Sequence, residues 1–211
     1  MGILTPSTDP QLQALMLDLG ELIRQSRRQA LRAVDVIQVR TCWQMGQHIV
    51  EFEQGGLERA AYGQRLLQEL AKVLTAEFGK GFDDRNLRHM RDFYQTFPIW
   101  DAVRTELSWT HYRTLLRVDS ATARDWYMHE AVTQNWSTRA LERQIGTLYY
   151  ERLLASQDRA AVEHEAVAKL AGLDVTPRDF VRDPVLLEFL GLPNAGAVLE
   201  SDLEQALMTQ L

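Results

Sequence analysis

Residues 62–97 contain two amphipathic helical patterns that are separated by the break Gly79-Lys80-Gly81. Glycine allows the left-handed backbone that ends many helices, and Asp83 or Asp84 can accept amide hydrogens at the start of a second helix. The sequence therefore predicts a helical hairpin with a short turn. In its first helix the apolar residues recur every three or four positions and share one face: Tyr62, Leu66, Leu67, Leu70, Val73, Leu74 and Phe78.

The second helical pattern separates apolar from cationic side chains. Its apolar stripe ends before the helix-stopping Pro98 and consists of Leu87, Met90, Phe93, Tyr94 and Phe97. Its opposite face is polar and carries Arg85, Arg88, His89, Asp92 and Gln95, with Arg91 on the flank. This layout is typical of a helix-turn-helix whose second helix contacts DNA, because cations there can meet phosphates. The alternative is the solvated outer face of a helix in a bundle.

Apart from its first dozen residues the chain shows helical periodicity throughout, which predicts an all-α fold. We expect a multi-helix bundle that contains the helix-turn-helix, with or without a wing, and short helices towards the C-terminus. Ser108 and Ser137 are candidate helix caps, and the helix after Ser137 is predicted to continue through Leu148 to Leu153. Composition changes after Ser156, where a charged, alanine-rich stretch predicts a short helix and a linker over 157–182.

Charge is distributed unevenly along the chain. The net charge is -6, yet residues 1–150 hold 18 basic and 18 acidic side chains, so the acidity lies in the C-terminal part. Arginine supplies 20 of the 23 cations. Arginine suits bidentate contacts to phosphate or guanine, although the codon bias of a GC-rich genome gives the same composition.

Several classes of protein are not expected from this composition. No stretch reaches 18 apolar residues and the N-terminus does not resemble a signal peptide, so we expect a cytoplasmic protein without a membrane partner. A single cysteine, Cys42, permits no disulfide framework. The five histidines are at least 18 residues apart and have no cysteine at ligand spacing, so we expect no metal site, and we expect no cofactor or small-molecule substrate either.

Ordered strings along residues 20–211 resemble the YhcG-type bacterial proteins. The strings are Trp43-Gln44-Met45-Gly46, Arg85-Asn86-Leu87-Arg88-His89-Met90 with their continuations, and residues 62–63, 74–82, 107–112 and 183–192. The resemblance implies a helical N-terminal domain of the helix-turn-helix type, followed by a nuclease domain of the PD-(D/E)XK superfamily. Under that reading residues 1–156 form the DNA-binding domain, and residues 183–211 begin the nuclease domain.

The nuclease core that the resemblance implies is expected to be absent from these 211 residues. None of the three lysines has Asp or Glu two positions earlier, so the Asp/Glu-x-Lys pair of the superfamily does not occur. Glu163, Glu165 and Asp183 are the nearest candidates for a carboxylate cluster, and we do not expect them to be catalytic. We therefore predict that this chain is not an enzyme and that Mg²⁺ belongs only to the missing domain.

The predicted function is binding of duplex DNA through the helix-turn-helix. Trp109, His111 and Arg113 could extend the surface, although residues at a helix start more often pack or cap. The alternative is a helical module that forms a homodimer or binds a protein, without binding DNA. The candidate DNA-binding residues are Lys80, Arg85, Asn86, Arg88, His89, Arg91, Trp109, His111 and Arg113.

Overall fold

The computed structural model describes residues 10–54, 63–170 and 173. In these residues the chain forms α-helices and two 3-10 turns and contains no β-strand, so the all-α prediction is confirmed and no wing is found there. The 3-10 turns are Lys80–Phe82 and Trp100–Ala102. The helices are α1 (Pro10–Gln54), α2 (Gly63–Phe78), α3 (Asp84–Thr96), α4 (Trp109–Leu115), α5 (Ala121–Thr133), α6 (Thr138–Gly146), α7 (Tyr149–Ala155) and α8 (Arg159–Leu170).

The chain divides into two compact units, residues 1–34 and 35–211. Of the first unit the structure describes the helical stretch 10–34, and of the second it describes the remainder of α1 together with α2 to α8. None of the described helices combines the length and the apolar character that crossing a membrane requires.

The core of the second unit is centred on α3 and α4. Leu87 and Phe93 of α3 and Trp109 and Tyr112 of α4 have no exposed surface. The ring of Phe93 lies 4.6 Å from that of Tyr112 and 5.4 Å from that of Trp109, centroid to centroid. Aromatic pairs at these distances stabilise a core beyond their apolar burial. Because α3 is buried along this side, only its outer face reaches the surface.

The helical hairpin predicted for residues 62–97 forms in the described residues. Gly79 ends α2 with φ of 100°, a conformation that favours glycine, and the side chain of Asp83 caps α3 by accepting a hydrogen bond from Asn86 N at 2.7 Å. Tyr94 was predicted to pack inside the hairpin but contacts Trp43 of α1 instead, at 5.1 Å between ring centroids. The apolar stripes of α2 and α3 contribute Leu67, Leu70, Ala71, Leu74, Leu87 and Met90 to the core.

A close approach between α1 and α3 depends on Gly46. A Cβ atom at this position would lie 2.0 Å from the carbonyl oxygen of Met90, far inside van der Waals contact. Trp43, one turn earlier on α1, donates its indole N–H to the carbonyl oxygen of Phe97 at 2.7 Å. These two contacts fix the depth at which the C-terminal half of α1 packs on α3.

The helix predicted from Ser137 through Leu153 is interrupted. Ser137 does cap α6, accepting a hydrogen bond from Ala140 N at 3.1 Å, but the chain turns at Leu148, which has φ of 51°. A left-handed non-glycine residue costs roughly 1–2 kcal/mol, so other contacts must stabilise this turn. The hydroxyl of Tyr127 accepts a hydrogen bond from Tyr150 N at 3.0 Å and donates to Glu151 Oε2 at 3.1 Å. The break thus lets α5 cap the start of α7.

The stretch predicted as a short helix and linker contains α8, which packs on the second unit. Ala166 is buried, and the carbonyl oxygen of that residue accepts a hydrogen bond from Gln144 Nε2 at 3.5 Å. Arg152 of α7 pairs with Glu165 at 2.9 Å. The segment 183–211, predicted to begin a nuclease domain, lies outside the described residues.

Candidate nucleic-acid interface

The outer face of α3 begins immediately after the Asp83 cap. Arg85 is exposed in the first turn and forms no ion pair with the described residues. Arg88 is exposed as well, but Nη2 of its guanidinium lies 2.8 Å from Oδ2 of Asp84. Such an exposed pair adds little stability, yet it reduces the positive potential that Arg88 presents. Arg85 is therefore the less neutralised of these two arginines.

Arg91 on the flank of α3 is engaged by the protein itself. Its guanidinium lies 3.2 Å from Oδ1 of Asp92 and 3.6 Å from Oε1 of Glu53 on α1. Lys80 lies in the 3-10 turn before α3, and its side chain lies outside what the structure describes. Among the arginines of α3, Arg91 is thus the one that lies near two carboxylates.

His89 on α3 is under the electrostatic influence of several arginines. Burial of the ring holds the pKa of His89 below its ordinary value of 6.5, and the charges of Arg113 and Arg85 lower that pKa further. Asp92 opposes this effect, while Arg117 adds to it. The Nδ1 atom of His89 is buried and has no hydrogen-bond partner among the described residues. The ring is therefore neutral near pH 7 in a positively charged surrounding.

An ion pair joins the end of α4 to α6, which carries two further arginines. Arg117, just after α4, lies 3.2 Å from Glu142 of α6, so the two helices meet at this face. Arg139 and Arg143 are exposed on α6 on either side of Glu142. We refer to Arg85, His89, Arg113, Arg117, Arg139 and Arg143 together as the basic face.

Two predicted DNA-binding residues are structural instead. Asn86 is buried, and its Oδ1 accepts a hydrogen bond from the indole N–H of Trp109 at 3.1 Å. The side-chain amide of Asn86 also donates to the carbonyl oxygen of Gly81. The indole N–H of Trp109 and the two polar groups of the Asn86 side chain thus all form hydrogen bonds inside the protein. A buried polar group without a hydrogen-bond partner would cost stability. A role of Asn86 and Trp109 in contacting DNA stays a prediction, while the structure places both side chains in the core.

The side chain of His111 also forms hydrogen bonds within the protein. Its Nδ1 accepts a hydrogen bond from Ser108 N at 3.3 Å and lies 2.8 Å from Ser108 Oγ, an arrangement that caps α4. Its Nε2 lies 3.0 Å from the carbonyl oxygen of Trp136. An acceptor at Nδ1 places the proton on Nε2, so the ring is neutral and donates to Trp136. The capping alternative for His111 is the one that the structure supports.

Arg117, Arg139 and Arg143 are not among the DNA-binding residues predicted from the sequence. The spacing of Arg113 and Arg117, four residues apart, indicated a shared helical face. Nothing in the spacing indicated that α3 would bring His89 to that face.

Comparison with known proteins identifies the family. Residues 18–152 match the DUF1016 N-terminal domain, a range that begins in α1 and ends in α7. The chain belongs to this family. It is also similar to a protein of Escherichia coli (strain K12) named "Putative nuclease YhcG", with 35% identity over 243 aligned positions. The alignment covers the whole of this chain and 64% of that relative. No solved structure matches the chain.

The DUF1016 N-terminal domain contains the entire basic face. All six residues, from Arg85 to Arg143, fall inside the matched range, whereas α8 and the acidic residues after it lie beyond. In the described residues no three His, Cys, Asp or Glu side chains are placed to hold a metal ion.

Proposed function

We propose that this chain binds duplex DNA through the basic face and contacts mainly the phosphates. The observation that carries the proposal is that Arg85 of α3, Arg113 of α4 and Arg117 just after α4 all act electrostatically on His89. Like charges this close repel one another in the free protein. A phosphate between them replaces that repulsion by attraction, and arginine is suited to bind it bidentately.

A polyanion fits this surface better than a small anion. The basic face spans α3, α4 and α6, and duplex DNA carries one negative charge per roughly 1.7 Å of its axis. Several phosphates can then be contacted at once. The name of the Escherichia coli relative, a nuclease, supports a nucleic acid as the ligand class.

We expect the binding to show little sequence preference. Base edges are read by side chains that are free to form bidentate hydrogen bonds in a groove. On α3, Asn86 is committed to Trp109 and Gly81, and Arg91 is committed to carboxylates. The remaining cations suit phosphate contacts, which position a protein on DNA without reading sequence.

For longer proteins of this family we propose that the same module holds DNA for a nuclease domain. In such a domain Mg²⁺ held by carboxylates would supply the activated water for cleavage. The part played by the residues of this chain is to bind and orient the duplex.

The proposal is tested by titrating a fluorescently labelled duplex with the full chain at several salt concentrations. With about four phosphate contacts, the slope of log affinity against log salt should be on the order of -3 to -4. The variant Arg85→Ala/Arg117→Ala should weaken binding and flatten that slope by about two units, one for each lost contact. A duplex of scrambled sequence should bind about equally well.

A matched control removes the same charge from another surface. Arg65 and Lys72 are exposed on α2, where Lys72 lies among Glu69 and Glu77. The variant Arg65→Ala/Lys72→Ala should retain the slope of the unaltered chain. Equal losses in both double variants would show a general charge effect and no basic-face site. Absence of binding at low salt would contradict the proposal outright and favour a protein-interaction module.

A further inference from the structure

The first part of α1 carries an apolar stripe that is exposed among the residues the structure describes. The large side chains Leu12, Met16, Leu19 and Ile23 are between 42% and 62% exposed. They continue into smaller residues at the same alternating spacing of four and three: Ser26, Ala30 and Ala33. This spacing is the heptad pattern of a helix that packs along another helix. A contiguous exposed apolar surface of this kind marks an interaction site.

We propose that this stripe binds a second copy of the same chain as an antiparallel two-helix coiled coil. The stretch 10–34 is about 37 Å long at 1.5 Å per residue, which accommodates just over three heptads. Two observations favour a second copy of the chain as the partner and an antiparallel orientation of the two helices. They are the distribution of charge and the distribution of side-chain size along the stretch. The inference is independent of DNA binding.

Charge is segregated along the stretch 10–34. Its acidic residues, Asp18 and Glu21, lie in the first half, and no basic residue does. Its basic residues all lie in the second half: Arg24, Arg27, Arg28 and Arg32. A parallel pair would set four arginines beside four arginines. An antiparallel pair sets Asp18 and Glu21 of each copy beside the arginines of the other, and Glu21 also pairs with Arg24 of its own helix at 2.9 Å. Two copies of this helix are therefore complementary in charge when they run antiparallel.

Side-chain size follows the same division. With the two-fold axis between Arg24 and Gln25, Met16 lies opposite Ala33 and Leu19 lies opposite Ala30 of the second copy. Large residues then pack against small ones in the layers that contain Met16, Leu19 and Ile23, which fills this part of the interface evenly. In a parallel pair the small residues would meet each other and leave gaps.

The association is tested by sedimentation equilibrium of the full chain over a range of concentrations, with a dimer as the expected result. The variant Leu19→Glu/Ile23→Glu should be monomeric and should retain its helical circular dichroism. Leu17 provides the control because it is 69% exposed but lies on the other side of the helix. Leu17→Glu should remain dimeric. A monomer at every concentration, or equal dissociation of both variants, would overturn the proposal.

The direction is tested by cross-linking under mild oxidation. The buried thiol of Cys42, whose pKa is raised by burial, should stay unreactive. In the antiparallel dimer Met16→Cys alone should not cross-link, because the two positions are about 25 Å apart along the helix. Met16→Cys/Ala33→Cys should give a covalent dimer. Cross-linking by Met16→Cys alone, or no cross-link in a dimeric double variant, would contradict the antiparallel pairing.

Discussion

The indole nitrogen of Trp109 donates a hydrogen bond to Oδ1 of Asn86 at 3.1 Å, and both side chains are buried. The bond joins the start of α3 to the start of α4. Since Arg85 precedes Asn86 and Arg113 lies one turn after Trp109, the same bond holds the two arginines at a fixed spacing. A buried hydrogen bond therefore helps to set the spacing of Arg85 and Arg113 at the surface.

Removal of the Asn86 side chain is expected to destabilise the fold. Asn86→Ala leaves the indole N–H of Trp109 and the carbonyl oxygen of Gly81 without these partners, and each buried unsatisfied group costs about 1–3 kcal/mol. We expect the free energy of unfolding, measured by urea denaturation, to fall by about 3 kcal/mol. Gln95→Ala, at an exposed position on the same helix, should change it by less than about 0.5 kcal/mol. A loss as small as the control's would show that Asn86 is dispensable.

The helix crossing at Gly46 is expected to tolerate no side chain. Gly46→Ala places a Cβ atom 2.0 Å from the carbonyl oxygen of Met90, so the backbones must separate. We expect the free energy of unfolding to fall by about 3 kcal/mol or more. Gly146 is the matched control because a Cβ there meets nothing within 4 Å. Gly146→Ala should raise the free energy of unfolding by about 0.5 kcal/mol. If the two variants changed this free energy alike, the close approach of α1 and α3 at Gly46 would be contradicted.

His89 is expected to make stability depend on pH. Its pKa is lower in the folded protein than 6.5, so as pH falls the unfolded chain takes up the proton first. The contribution of His89 to stability is thus complete above this pH and is lost as pH falls through 6.5 towards the folded value. His89→Gln should flatten the denaturation free energy against pH in that window. An unchanged profile would mean that burial and the nearby arginines do not act on this ring.

Residues 1–211 are expected not to cleave DNA. The sequence has no Asp/Glu-x-Lys pair, and the described residues hold no cluster of metal-ligating side chains. Purified protein incubated with Mg²⁺ or Mn²⁺ should leave supercoiled plasmid intact on a gel. Nicking that persists through further purification and stops on addition of a chelator would contradict this prediction.

The sequence by itself determined the local structure. Apolar spacing predicted the helical class and the hairpin, and Asp83 and Ser137 cap the helices that they were expected to cap. Exposure of Arg85 and Arg88 followed from the same periodicity. These features depend on residues within one or two helical turns of each other, which is the range that a sequence pattern reports.

Only the tertiary structure decided which of these residues form one surface. The charges of Arg113 and Arg117 act on His89 because α4 packs against α3 through the aromatic contacts of Phe93, and no local spacing encodes that packing. Asn86 and Trp109 are polar or amphipathic, so the sequence allows either burial or exposure, and their mutual hydrogen bond across 23 positions of sequence makes burial favourable. The break at Leu148 has the same origin, since long-range contacts offset its local strain.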